Sequence, residues 1–215
     1  PKVIHRSYEA QAVADRLKKR GKLDDEFTTF PGSCEFFVRL NEEHPRWMVE
    51  LIVLGVPRDF IESHKGMPYI SNMFAKEFIE EVHDDNGLVI VPHPFYFTSA
   101  HLLLKQKDSS KNSTPDGYEA LNYTIGFMFD DAYRELISRV NGLSEEMDSL
   151  RKFFGYPNWM AKLIQHPSSG LDYPLAGKIA TIGSSDAHFT EMVGAGSSIS
   201  KEPVHSIADL RKALH

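Results

Sequence analysis

Apolar and polar positions along the chain alternate between short apolar runs and longer stretches of helical spacing. Residues 8–20 (YEAQAVADRLKKR) place Ala10, Val13, Ala14 and Leu17 at helical intervals, and Gly21 follows where a C-capping glycine belongs. Residues 27–40 are rich in Phe, Thr and Val around Pro31 and Gly32, which predicts an interrupted strand. Residues 47–56 (WMVELIVLGV) are nearly all apolar and end at Gly55 and Pro57, the pattern of a strand buried on both faces. Residues 71–83 predict a helix with Met73, Phe74, Phe78, Ile79 and Val82 on one side. Asn86-Gly87 breaks it, residues 87–91 (GLVIV) predict another buried strand, and Pro92-His93-Pro94 stops that strand abruptly.

A short helix is expected near residues 100–105, followed by a solvated polar stretch to residue 116. Residues 118–123 (YEALNY) and 178–183 (KIATIG) read as strands, residues 130–164 as largely helical, 196–200 as a last short strand and 207–215 as a helix. This alternation predicts one α/β domain over residues 1–215 with a parallel sheet, open or closed into a barrel. Residues 98–164 read as an insertion overhanging the strand ends, the place where substrate choice would lie.

Composition narrows the function classes. A chain of 215 residues can bury one sizeable core. No apolar stretch of about 18 residues exists, so no membrane-spanning helix and no membrane partner is expected. The net charge of −6 disfavours nucleic acid as a partner, although metal ions can supply positive charge that side chains do not. Cys34 is the single cysteine, which excludes an intrachain disulfide and suits a cytoplasmic location. The chain starts at Pro1 without a secretion pattern and reads as a cut or processed end.

Three clusters of metal-capable residues are expected at strand ends, where α/β folds build sites. They are Pro31-Gly32-Ser33-Cys34-Glu35, Val91-Pro92-His93-Pro94-Phe95 and Gly183-Ser184-Ser185-Asp186-Ala187-His188-Phe189. Imidazole and carboxylate together suit zinc, manganese and iron alike. A single Glu or His at such a position is more often solvated or structurally hydrogen-bonded, so the weight lies on the three together.

In this order the clusters resemble the PHP family, named for polymerase and histidinol phosphatase. Residues 87–94 (GLVIVPHP), 116–122 (DGYEALN) and 193–198 (VGAGSS) add to the likeness, which spans about residues 8–214. The resemblance implies a distorted (β/α)7 TIM-like barrel holding two or three divalent metal ions, zinc, manganese or iron. It implies hydrolysis of small-molecule phosphate esters by metal-activated water. Carried over, Glu35 would bridge two metals, His93 and Asp186 would each bind one of that pair, and His188 would bind a third. These four form the expected catalytic set.

The departures matter too. The family's opening His-x-His strand and its Thr-Asp-His motif are both missing from this chain. His5 falls roughly where the latter's histidine would, but Val3-Ile4 precede it, and the motif could equally lie upstream; His5 stands as a further metal-ligand candidate. Ile52 occupies a position where relatives often carry histidine, with Glu50 on the same face. Two alternatives therefore stand beside the phosphoesterase: a PHP-like binding or structural module without catalysis, and a nuclease-type phosphodiesterase. His101 and Arg6 could reach a phosphate, whereas His64, His83, His166 and His205 read as helix-end, loop or solvated residues. Cys34 reads as a small buried core residue.

Overall fold

The structure is a computed structural model. It describes residues 4–24, 27, 29–30, 32–64, 70–94, 100–105, 110–122, 175, 178–185, 197–198 and 200–214. The elements in chain order are α1 (Ile4–Lys19), β1 (Cys34–Arg39), β2 (Met48–Leu54), α2 (Arg58–Ser63) and β3 (Ile70–Phe74). They continue with α3 (Ala75–Asp84), β4 (Leu88–Val91), α4 (His101–Leu104), a 3-10 turn (Lys111–Ser113), β5 (Gly117–Asn122), β6 (Ala180–Ser184) and α5 (Ile207–Leu214).

The strands form one six-stranded sheet in the order β3-β1-β2-β4-β5-β6. The expected α/β class stands, but the sheet is mixed rather than parallel. β2 runs antiparallel to both β1 and β4, whereas β1/β3, β4/β5 and β5/β6 are parallel. The reason is the connection between β1 and β2, residues 40–47, which is too short for a crossover. Its ends are tied by Leu40 N–H donating to the Trp47 carbonyl at 2.8 Å. Among the described residues the sheet is open rather than closed into a barrel.

Strand β2 differs from the expectation of burial on both faces. Val49, Leu51 and Val53 are buried, while Met48, Glu50, Ile52 and Leu54 alternate with them on a half-buried face. β1 matches this, burying Phe36 and Val38 and leaving Glu35 and Phe37 exposed. β4 is enclosed throughout. The buried face packs on α2 and α3 through Phe60, Ile61, Phe78, Ile79 and Val82. Phe36 anchors this core, with ring centroids 5.1 Å from Phe78 and 6.3 Å from Phe60.

The helix expected over residues 71–83 is a strand followed by a helix. Ile70–Phe74 pairs with β1 at the sheet edge, and α3 begins only at Ala75. Glu77 accepts the Phe74 backbone N–H at 3.5 Å, half of a capping box, so the helix start is written one turn inside the expected span. Residues 197, 198 and 200 carry no strand; instead the Ser198 hydroxyl accepts the Gly183 N–H at 2.8 Å and donates to its carbonyl at 3.1 Å. Of the expected insertion over residues 98–164, Gly117–Asn122 is β5 within the sheet, and residues 123–164 lie outside the described residues.

Helix α5 docks at the end of the sheet where β2 finishes and β4 begins. A Cβ on Gly55 would lie 2.3 Å from the Ile207 side chain, and Arg211 donates to the Asn86 and Gly87 carbonyls at 3.0 and 2.8 Å. Ser206 and Asp209 cap the helix reciprocally, and the Ser206 hydroxyl holds the Asp209 carboxyl below the usual carboxylate range. No helix among the described residues is long and apolar enough to cross a membrane.

Candidate functional site

The C-terminal ends of the parallel strands β4, β5 and β6 lie at the opposite end of the sheet from α5. There the chain leaves β4 through Pro92 and turns at His93, whose φ of 27° is a left-handed conformation that non-glycine residues rarely adopt. His93 is buried, and its Nε2 lies 3.4 Å from Glu50 Oε2 on β2. Register explains the encounter: Ile52 pairs with Ile90, which sets Glu50 level with Pro92, beside His93.

Glu119, at 2% exposure, is the centre of this edge. Its Oε2 accepts the His93 backbone N–H at 2.9 Å and the Asn122 side-chain N–H at 3.0 Å. Its Oε1 accepts the Ser184 hydroxyl. Three successive strands are therefore joined through one carboxylate, and Ser184 is the last residue of β6 before Ser185-Asp186-Ala187-His188.

Glu35 lies elsewhere. It is the second residue of β1, exposed, and paired with Ile52. Two strand spacings of about 4.8 Å and three residue steps of about 3.3 Å put its backbone on the order of 14 Å from that of His93. Both residues share the half-buried sheet face with Glu50 and Ile52, but the structure does not bring their backbones together. Asp186 and His188 lie outside the described residues, and His5 lies in the first turn of α1. Of the weaker candidates, His101 starts α4, half-buried, and His205 is exposed. His64 contacts Glu81 at 2.7 Å, and His83 contacts Asp116 at 2.9 Å. His166 lies outside the described residues.

The imidazole of His93 and the carboxylate of Glu50 are donor types that divalent cations accept. Among the described residues, no three His, Cys, Asp or Glu side chains form a group that could hold a metal ion. The Glu50–His93 pair thus fits a metal in donor type and leaves further donors to come from elsewhere.

Cys34 is half-buried and packs against the hydrophobic core. Burial, then the Glu35 carboxylate, pushes its thiol up from the ordinary 9.0 to about 11, against the opposing hydrogen bond to the Glu35 carbonyl. It is therefore a thiol at neutral pH and a poor nucleophile. Alkylation by iodoacetamide near pH 8 is expected to be about 10-fold slower than in the unfolded chain. A thiolate fraction about 100-fold lower is offset about 10-fold by the greater nucleophilicity of the more basic thiolate. Equal rates in folded and unfolded protein would contradict this.

A family model described as PHP-associated matches residues 177–215. No curated protein and no solved structure matches the chain. The match supports an association with the PHP family through the C-terminal region alone. It contains Asp186 and His188 but neither Glu35 nor His93.

In the sequence Glu119 and Asn122 belong only to the DGYEALN likeness, which assigns neither a role. Ser184 lies within the third strand-end cluster, but nothing in the sequence pairs it with Glu119. The available signal was a carboxylate in a strand otherwise able to be buried, followed three residues later by an amide.

Proposed function

We propose that this chain is a PHP-type, metal-dependent hydrolase of small-molecule phosphate esters. His93, Glu35, Asp186 and His188, with His5 as a further candidate, are its metal-binding set, and the full fold is the TIM-like barrel of that family over residues 1–215. The observation that carries the reading is the Glu119 junction, which links the His93 turn to the end of the strand that leads into Asp186 and His188. The PHP-associated match over residues 177–215 supports it. Zinc, manganese or iron would supply polarisation of the phosphoryl group and activation of water. His93 presents an imidazole from a fixed turn, Glu50 lies against that ring, and the enclosing apolar residues of β4 limit water behind it.

A second reading, a PHP-like module that binds without hydrolysis, draws on Ile52 and on the distance between Glu35 and His93. The two readings separate by elemental analysis of the purified protein beside Asp186→Ala and His93→Ala. The expected result is a bound transition metal whose affinity falls by more than about 100-fold in each variant, the upper end of what losing an outer-shell partner costs. Metal-dependent cleavage of p-nitrophenyl phosphate should fall with it. A protein that takes up no metal, with variants indistinguishable from it, would leave the binding module.

A further inference from the structure

We propose that Glu119 is the positioning residue of this site, a single buried carboxylate that fixes the His93 turn and ties it to β6. The inference rests on the phosphoesterase reading for its consequence, but its geometry is independent of any metal. A buried carboxylate is costly unless its oxygens are supplied with donors, and an apolar residue in β5 would serve the core better. Glu119 is supplied by three donors from three different strands or strand exits.

The division of labour between carboxylates follows from the atoms they touch. Glu50 approaches the His93 ring at Nε2. Glu119 touches the His93 backbone N–H. The latter bond matters because His93 combines a positive φ with a following Pro94, and proline restricts the residue before it. Such a conformation persists only where its surroundings over-determine it. Glu119 supplies that constraint, and Ser184 sets where the carboxylate sits. His93 and Ser184, the last residue of β6, therefore keep a fixed separation.

The test is hydrogen exchange of the His93 amide, together with zinc affinity by calorimetry, in Glu119→Ala, Glu119→Gln and Ser184→Ala. The Val89 amide of β4, bonded to Asp116 just before β5, is the internal reference. In Glu119→Ala, His93 exchange should rise about 100-fold relative to Val89, and zinc affinity should fall about 10–100-fold, the usual outer-shell effect. Glu119→Gln should restore both, because its carbonyl can accept the two N–H bonds while its amide donates to Ser184. Ser184→Ala should weaken zinc binding and leave the His93 amide protected. Ile79→Ala, in the core beneath the sheet, should leave the exchange ratio and zinc affinity unchanged.

If Glu119→Ala does not fold, Glu119→Gln and Ser184→Ala still decide. Failure of glutamine to rescue, or an unchanged His93 amide in Glu119→Ala, overturns the positioning role. A His93 amide that responds as expected in a wild-type protein that takes no zinc upholds the bracing and removes the phosphoesterase reading instead.

Discussion

Asp116→Ala is expected to lower the unfolding free energy by about 3–5 kcal/mol, the range for breaking a buried charged pair from one side. Asp116 Oδ2 accepts the Val89 backbone N–H at 2.8 Å and His83 Nε2 at 2.9 Å, with both side chains largely enclosed. Its own N–H donates to the Val89 carbonyl, and its carbonyl accepts from Ala180. Removing the carboxylate strands a donor at the start of β4 and another on the last turn of α3. Asp116→Asn should lose less, because its amide oxygen can keep the Val89 bond. Urea denaturation of the three proteins measures the difference; an alanine variant within about 1 kcal/mol of wild type would mean that water replaces the carboxylate.

The same pair makes stability depend on pH. Burial opposes the charged form of His83, but the hydrogen bond and charge of Asp116, with the Asn112 carbonyl, outweigh it and raise the imidazole above its ordinary 6.5; Arg211 acts weakly the other way. His83 Nδ1 faces that carbonyl at 2.5 Å, so both ring nitrogens meet acceptors. A raised folded-state value means that the folded protein holds the proton more tightly. The stabilisation is complete below 6.5 and is lost as pH climbs through the raised value. Denaturation midpoints taken from about pH 5 to about pH 9 should show this decline in wild type and its absence in Asp116→Ala.

The second large effect is expected at Gly32. Its φ is +77°, and a Cβ would stand 2.0 Å from the Val56 carbonyl oxygen, a backbone atom that cannot rotate away. Val56 N–H also donates to the Gly32 carbonyl at 3.3 Å. Gly32→Ala should therefore cost about 2–5 kcal/mol, combining left-handed strain with a forced shift of the chain. Gly21 is the control: its φ is +62°, but nothing lies within 4 Å of its added Cβ. Gly21→Ala should cost about 1 kcal/mol, the conformational part alone. Similar losses in the two variants would show that the Val56 segment moves aside. A perturbed Gly32 turn would also displace Glu35, three residues on.

How much was legible follows from whether a signal was local. β4 was readable because its apolar run is bounded by Asn86-Gly87 and Pro92. β3 was not, because Met73 and Phe74 continue the apolar stripe of α3 at helical spacing, while its pairing with β1 is a contact between distant segments. The antiparallel β1–β2 pair was within reach, since residues 40–47 leave no room for a crossover. At the candidate site His93 stood out through its flanking prolines. Glu119 did not, since a carboxylate in Tyr-Glu-Ala-Leu-Asn reads as the outward position of an edge strand. Its burial depends on donors from His93 and Ser184, which only the tertiary fold places.

The mixed sheet also carries an order of events. β1 and β2 are neighbours in the chain and can close as a hairpin early, with little loop entropy to overcome. β5 meets β6 only by joining Gly117 to Ala180, the most distant strand pairing in the sheet. Contacts so far apart in sequence come late in folding. The edge that carries Ser184 is thus the last part of the sheet to be completed. A mutation that slows β6 docking would leave a population with an intact hydrophobic core, folded by most spectroscopic measures yet lacking the Ser184–Glu119 contact.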